Sequence, residues 1–300
     1  MTGGGRVVGL YVHPIKGLSP QPLTSAALRS GGGVPHDREF ALARPDGRYE
    51  PGRRVGLPKG EFYTLVGEHR LAGLETHLDV ASDVLTVRVA GHEVLSAHLE
   101  RDRDEVLRFF ARVLDLPDGV LPVPARDEGR RFTDVSRRGD EPMNWISLLN
   151  LASVRDLAER AGVAAIDPRR FRANVLLDGL PAWSELDLVD REFTLGGVRL
   201  RGTRRTVRCA ATEVDPDSGR RDLPVLRLLK QHFGHEMMGV YAEVLSDGVL
   251  EIGSGFDGAD LVGADLDGAD LVGADLDGAD LAGADLDGAA GGFAGGGPVG

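Results

Sequence analysis

The residue with the clearest chemical potential is Cys209, the only cysteine in 300 residues, which lies within "TRRTVRCAATEVDPDSGRRD" at 203–222. A thiolate is a nucleophile and a soft metal ligand, and nearby cations favour its formation. The flanking cations are Arg204, Arg205, Arg208, Arg220 and Arg221. The stretch therefore predicts an anion-binding thiolate site. A buried structural cysteine remains an open alternative, because free cysteine is among the most buried residue types.

The position of Arg208 next to Cys209 does not by itself place both side chains in one site. If the two residues lie on one strand, their side chains point to opposite faces. A second candidate, His232 with His235, has helical spacing near a helix end, but no third ligand is suggested by the sequence. A solvated helix terminus is the interpretation that we adopt for these histidines.

A single cysteine excludes an internal disulfide, a four-cysteine zinc site and an iron–sulfur cluster held by this chain. It fits a reducing compartment, so we expect a cytoplasmic protein. The start "MTGGGRVVGL" has no secretory pattern and no run of 18 apolar residues occurs, so no membrane association is expected.

The net charge of −12 is unevenly distributed along the chain. Residues 256–300 contain ten Asp and no Lys, Arg or Glu, which gives −10 and leaves −2 for residues 1–255. A nearly neutral body lacks the basic excess of a nucleic-acid-binding protein, so no nucleic-acid partner is expected.

The elements that must position Cys209 are mostly strands. Short β-rich runs bounded by Gly and Pro predict strands in the first half, and apolar residues at helical spacing predict three helices. Prolines at 117–124 indicate a crossover, which places a domain boundary near residue 120. The predicted strands of the first half are 6–15, 39–45, 61–67 and 84–94. The predicted helices are 102–116, 152–162 and 223–234.

The second half is predicted to surround the cysteine loop with strands. "FRANVLLDG" at 171–179 predicts a strand, and "EFTLGGVRLRG" at 192–202 predicts a hairpin that turns at Gly196 and Gly197. "GVYAEVLSDGVLEIG" at 239–253 predicts a final hairpin. The fold class is therefore mainly β with some α.

The tail from Phe256 repeats Ala, Asp and Leu every five residues and ends in a Gly-rich segment. It resembles the pentapeptide-repeat family, whose units wind a square β-helix. About seven units make under two turns, too few to bury a core without a surface to stack on. A short coil that caps the body, a disordered acidic extension and a calcium-binding role remain open.

Two separate motif sets resemble one domain architecture. "VRCAATEVDPDSG" at 207–219, preceded by "FRANVLLDG", resembles the core of the MOSC domain, the molybdenum cofactor sulfurase C-terminal domain. "GLYVHPIKGLSPQPL" at 9–23 and "GGVPHDREFALARPDG" at 32–47 resemble the β-barrel domain that precedes MOSC in the mitochondrial amidoxime-reducing component and its bacterial relatives. The resemblance implies two β-barrel-type domains, residues 1–120 and 121–255, followed by the tail at 256–300.

The resemblance also implies a cofactor and its ligands. Cys209 would ligate molybdenum and be the catalytic residue, and the pyranopterin would lie between the two barrels. A phosphate-bearing anionic pterin suits Lys and Arg, and Asn offers both a donor and an acceptor to a heterocycle edge. For each residue, a solvated charge, a structural ion pair or a turn role remains an open alternative. The implied cofactor contacts are Lys16, Arg38, Arg172, Asn174 and Arg208.

This chain departs from the family pattern at three places. Gly17 stands where many relatives have Ser, and Ala173 stands where the strand often has Pro. In "GDEPMNWISLLNLAS" at 139–153 the register is ambiguous, so Asn144, Ser147 and Asn150 are given no role.

The implied activity is that of an oxidoreductase that reduces N-hydroxylated or similar oxygen-bearing small molecules. No dinucleotide signature and no cysteine cluster are present, so an external electron-donor protein is expected. The alternatives are a molybdenum cofactor carrier or sulfur-transfer module that uses a Cys209 persulfide, and a cofactor-free scaffold for the tail. Pyridoxal phosphate is attached to such domains through their sulfurase ancestry, but no Schiff-base site is found.

Overall fold

The computed structural model describes residues 4–52 and 56–258, all within a compact unit that spans Met1–Asp265. The capping, disordered and calcium-binding interpretations of the tail at 256–300 concern residues outside the described ranges, except for residues 256–258.

Strands dominate the fold, and four α-helices accompany them. The strands are β1 (Arg6–Val12), β2 (Gln21–Leu23), β3 (Ser25–Leu28), β4 (Ala41–Ala43), β5 (Glu75–Asp79), β6 (Val84–Val89), β7 (His92–His98), β8 (Val123–Ala125), β9 (Ile146–Asn150), β10 (Val175–Asp178), β11 (Glu192–Leu195), β12 (Val198–Val207), β13 (Met237–Val244), β14 (Gly248–Glu251) and β15 (Phe256–Asp257). The α-helices are α1 (Arg103–Val113), α2 (Asp140–Met143), α3 (Leu151–Ala161) and α4 (Val225–Phe233). Within the described residues, the prediction of a mainly β fold with some α is confirmed.

The largest sheet has eight strands in the order β15-β11-β12-β13-β9-β10-β1-β2. Its only parallel pair among the described strands is β9 with β10, and α3 makes the crossover between them. Asn150 caps α3 by accepting the Ala152 N–H at 3.1 Å, and Gly162 ends the helix in the left-handed region. One hydrophobic core lies along this sheet and includes Leu148, Val175 and Val240.

A second hydrophobic core lies in the first half of the chain. There the three-stranded sheet β5-β6-β7 packs with α1, and Leu85, Val87 and Phe110 are fully buried. The acidic first turn of α1 and its buried apolar face match the sequence expectation.

Two of the three described strands before residue 30 pair with the second half of the chain. β1 pairs with β10, and β3 pairs with β14. The predicted final hairpin is therefore wrong. β13 pairs with β12 and β9, whereas β14 pairs with β3 and not with β13. Local alternation shows that a strand forms but does not show its partner.

Two further strand predictions differ from the structure. Residues 61–67 form turns after a 3-10 helix at Lys59–Glu61, with only one isolated bridge from Phe62 to Ala43. The predicted strand at 84–94 is a hairpin, because Ala90 and Gly91 both have positive φ and reverse the chain. The hairpin that turns at Gly196 and Gly197 is confirmed.

None of the described helices has the length and apolar character needed to cross a membrane.

Candidate functional site

All six predicted site residues line one open cleft, whose empty space, including its mouth, is about 880 Å³. Its walls come from the turn after β1, the turns at 64–66 and 133–134, the start of β9, the segment before β10, the end of β12 and the cysteine loop. The predicted residues on these walls are Lys16, Arg38, Arg172, Asn174, Arg208 and Cys209.

Cys209 is half-buried and lies where β12 has ended. It is the N-cap of a 3-10 helix at Ala210–Glu213, and its carbonyl accepts the Thr212 N–H and the Thr212 hydroxyl, both at 3.0 Å. Its thiol therefore belongs to a short, locally hydrogen-bonded turn that faces the cleft.

Arg208 and Cys209 both line the cleft although they are adjacent in sequence. The alternation of side chains along a strand does not send these two side chains to opposite faces, because β12 ends at Val207, before both residues. The Arg208 guanidinium donates from Nε to the Met238 carbonyl at 2.7 Å and from Nη1 to the Phe171 carbonyl at 2.9 Å. These two bonds fix its orientation.

Arg38 and Arg172 connect the two halves of the chain around the cleft. Arg38 Nη2 donates to the Arg172 carbonyl at 3.0 Å, and Arg172 Nη1 donates to the Leu18 carbonyl at 2.7 Å. Both arginines have positive φ, 54° and 51°, a region that non-glycine residues rarely adopt. Such strain is typical of functional sites, where the surrounding structure enforces it.

Several buried donors in the cleft have no hydrogen-bond partner among the described residues. They are Nη2 of Arg172, Nη2 of Arg208, Nε of Arg170, Nε1 of Trp145 and the hydroxyl of Thr206. A buried donor without an acceptor costs about 1–3 kcal/mol. Five such donors on one cleft indicate a ligand rich in acceptor oxygens or nitrogens.

The electrostatics of the cleft favour an anion. The lining contains six cationic side chains and a single carboxylate, that of Asp134. Burial, followed by the nearby Arg38, lowers the pKa of Arg172 to about 9, and burial lowers the pKa of Arg208 to about 10. Both groups stay protonated at neutral pH at a free-energy cost that a bound anion would offset. The cations are Lys16, Arg38, Lys59, Arg170, Arg172 and Arg208.

Lys16 is buried and pairs with the Asp134 carboxylate. The ammonium of Lys16 holds the pKa of Asp134 well below its usual range, so this carboxyl is ionised at neutral pH. Gly17 follows with φ +83°, and a Cβ there would lie 2.8 Å from the Tyr63 carbonyl oxygen. The positive φ and this close approach to backbone together favour glycine at position 17.

Asn174 lines the cleft, but its side chain already makes hydrogen bonds to other residues of the fold. Its Oδ1 accepts the Ser147 N–H at 3.1 Å and the Ser147 hydroxyl at 2.9 Å, and its Nδ2 donates to the Tyr11 carbonyl at 3.2 Å. Asn174 therefore holds β1, β9 and the start of β10 together. These contacts account for one of its two Nδ2 hydrogens.

The "DPDSG" turn that follows Cys209 is fixed to both halves of the chain. Asp215 accepts from the N–H and hydroxyl of Ser218, both at 2.7 Å, and pairs with Arg170 at 3.2 Å. His69 donates from Nδ1 to the Gly219 carbonyl at 2.6 Å. Arg221 donates to the carbonyls of Ala210, Leu65 and Val66, which links the cysteine turn to the opposite wall.

Sequence reasoning missed several residues of the cleft, and no single-sequence signal marked them. Asp134, Trp145 and Tyr241 line it, and Ser147, which was left unassigned, does so too. Asn144 and Asn150 are absent from its lining, and Asn150 caps α3.

Of the arginines that flank Cys209 in sequence, only Arg208 lines the cleft. The interpretation of His235 as solvated is wrong. Its ring is buried against Trp183 and Phe233, because the chain turns inward after α4.

Family models cover most of the chain. The model described as the MOSC domain matches residues 136–256, and the MOSC N-terminal beta barrel domain matches residues 4–116. The chain carries a MOSC domain that follows a MOSC N-terminal beta barrel domain. Pentapeptide repeats in eight copies match residues 256–289, so the recognised architecture is confirmed. The predicted boundary near 120 falls in the interval between the two matched domains, and the likeness to the amidoxime-reducing component stays a prediction.

Solved structures resemble this MOSC chain only distantly. The YUAD protein from Bacillus subtilis is 12% identical with a TM-score of 0.38, and the match covers 84% of this chain and 93% of that one. YiiM from Geobacillus stearothermophilus is 20% identical with a TM-score of 0.30, over 38% of this chain and 54% of that one. The comparison with curated proteins finds no match. MOSC domains are associated with proteins that bind the molybdenum cofactor.

Proposed function

We propose that the cleft binds molybdenum with a pyranopterin and that the chain is an oxidoreductase for N-hydroxylated or similar oxygen-bearing small molecules. The observation that carries the proposal is the meeting of Cys209 with buried, unpartnered guanidinium N–H groups in one cationic cleft. A soft ligand beside anion-binding donors suits a metal held by an anionic organic cofactor.

The donor set fits the phosphate-bearing pterin. Arg172 and Arg208 each present an Nη2 without an acceptor, and a guanidinium binds phosphate oxygens well. The indole N–H of Trp145 is a donor only, so it suits an oxygen or a ring nitrogen of the pterin. Cys209 is the only thiol of the chain and would ligate the metal.

Bound molybdenum would supply the two-electron chemistry that removes oxygen from the substrate, while the protein binds and orients it. Arg38 and Arg172 brace the cleft across the two halves of the chain through carbonyl contacts. Tyr241 lines the same cleft, and burial raises the pKa of its phenol. The phenol keeps its proton at neutral pH and can donate a hydrogen bond to a substrate oxygen.

Reduction requires two electrons per substrate, and an external electron-donor protein is part of the proposal. The sequence has no dinucleotide signature and a single cysteine, which supports a separate donor.

Metal and pterin analysis of the purified protein tests this proposal. We expect near-stoichiometric molybdenum and the fluorescence of released oxidised pterin in the wild type, and we expect molybdenum to be lost in Cys209→Ala. Reduction of N-hydroxylated compounds with an artificial reductant then separates an enzyme from a carrier, which would hold the metal without turnover. Folded wild-type protein with neither metal nor pterin would refute the proposal.

A further inference from the structure

A second cavity, with about 830 Å³ of empty space, lies in the first half of the chain and shares no lining residue with the cleft. Its walls come from β4, β6, β8, α1 and the loop after β4. The space is open to solvent at one side, and the 830 Å³ includes that open part. It lies within the core that contains Leu85 and Phe110.

The lining of this cavity is mostly apolar. Aliphatic and aromatic side chains from all its walls face the space, and such surfaces bind hydrocarbon by removing it from water. The apolar lining residues are Ile15, Phe40, Ala41, Leu42, Pro51, Leu85, Leu99, Val106, Leu107, Phe110, Pro124 and Ala125.

The charged groups of the cavity are at its solvent-exposed side. Arg103, Arg126 and Glu100 are exposed and line it. Arg126 stacks over the Phe40 ring at 4.5 Å and pairs with Asp83 at 3.1 Å. No ion pair of Arg103 is present among residues 4–52 and 56–258, so its guanidinium is available to a ligand anion.

We propose that this cavity binds a small amphiphilic carboxylate, with its hydrocarbon body against Leu107 and Phe110 and its carboxylate at Arg103. The apolar walls account for the body of the ligand, and the Arg103 guanidinium, which has no ion pair among the described residues, accounts for its carboxylate. The site is independent of the cofactor cleft and of the proposed reaction, since the two share no residue.

Calorimetric titration of the full chain with butanoate, hexanoate, octanoate and 1-octanol tests the proposal. Each additional buried methylene should tighten binding about four-fold. Octanoate should bind about three-fold more tightly than 1-octanol, because only the carboxylate can pair with the exposed Arg103.

Three variants locate the site. Arg103→Gln should weaken octanoate about three-fold and leave 1-octanol unchanged. Arg108→Gln, at an exposed arginine of the same helix outside the lining, should change neither. Leu107→Phe, which fills the cavity, should weaken both ligands. Arg103 is exposed, so we expect Arg103→Gln to fold, and this variant still tests the proposal if Leu107→Phe does not fold.

The proposal is overturned if wild-type protein binds no octanoate, if affinity does not rise with chain length, or if Arg103→Gln behaves like Arg108→Gln. It is also overturned if Arg172→Gln removes octanoate binding, because the anion would then occupy the cationic cleft. Loss of molybdenum binding in the test of the proposed function leaves this inference untouched.

Discussion

The guanidinium groups of Arg172 and Arg208 make the same kind of contacts. Backbone carbonyls hold one side of each guanidinium, and Nη2 on the other side has no acceptor. Burying a charge without a partner is expensive, and the lowered pKa values of about 9 and 10 express that cost. The fold therefore sets these two groups at the cleft before any ligand arrives, which is the preorganisation that anion binding requires.

Glu185 is another buried charge, and it provides a pH prediction. Burial raises its pKa to about 7, and Ser153 donates to its carboxylate at 2.7 Å. Between pH 4.5 and 7 the folded state binds more protons at this site than the unfolded state, so this group makes the free energy of unfolding fall as the pH rises. At pH 8 we expect Glu185→Gln to be more stable than the wild type by about 3 kcal/mol.

The Glu185 prediction is checked by urea unfolding of both proteins at pH 5 and pH 8. The stability difference should be much smaller at pH 5, where the wild-type carboxyl is protonated. Glu192→Gln, at an exposed position, is the matched control and should show no such pH dependence. A constant difference between Glu185→Gln and wild type at both pH values would contradict the assignment.

Residue types in the cleft were predictable where a motif contained them. Cys209, Arg172 and Lys16 belong to such motifs, and the structure brings them together. Asp134 was not predictable because it belongs to no quoted motif, and Trp145 was not predictable because it lies in the segment 139–153, whose register was ambiguous. The functional roles of all these residues stay predictions.

At the scale of elements, the turn after β1 positions Lys16. Lys16 N–H donates to the Phe40 carbonyl at 2.8 Å, and the next residue turns the chain with φ +83°. Its neighbour Ile15 makes a bridge to Phe40. A single glycine therefore decides whether the Lys16 ammonium reaches the Asp134 carboxylate.

Gly17→Ala tests this turn. The added Cβ would lie 2.8 Å from the Tyr63 carbonyl and would be forced into the left-handed region, so we expect a loss of about 2 kcal/mol in the free energy of unfolding. Molybdenum content should also fall. Gly60→Ala is the control, because a Cβ there meets nothing within 4 Å and its φ is ordinary. Equal stabilities for the two variants would show that the turn tolerates a side chain.

Local sequence patterns predicted whether a segment forms a helix or a strand more reliably than they predicted which strands pair. The helix at 151–161 was predicted at 152–162 because its apolar spacing and its terminal Gly162 are local signals, whereas the Asn150 cap was not foreseen. The pairing of β14 with β3 was not, since it joins residues more than 200 positions apart. The 61–67 segment has strand-like composition, but tertiary contacts make it a turn on the cleft wall.

At the scale of the whole molecule, the cleft concentrates positive charge in a nearly neutral body. Residues 1–255 carry a net charge of −2, whereas the cleft has six cations and one carboxylate. Residues from both halves of the chain contribute to it, for example Lys16 and Arg208. An anion bound there should therefore stabilise the folded state.

Inorganic phosphate tests this coupling on cofactor-free protein from a host that makes no pterin. At a hundred-fold excess over its Kd, a ligand adds about 2.7 kcal/mol. We therefore expect thermal unfolding to shift upward by several degrees relative to chloride at equal ionic strength. Arg172→Gln should remove the shift and Arg199→Gln, at an exposed position, should keep it. An equal shift in both variants would place phosphate outside the cleft.

The most direct test of the central claim is X-ray absorption at the molybdenum edge of purified wild-type and Cys209→Ser protein. The account predicts that the number of sulfur atoms bound to molybdenum falls by one in the variant, because a serine oxygen replaces the thiolate. Metal bound with the same sulfur count in both proteins would show that Cys209 is not a ligand and would contradict the proposed site.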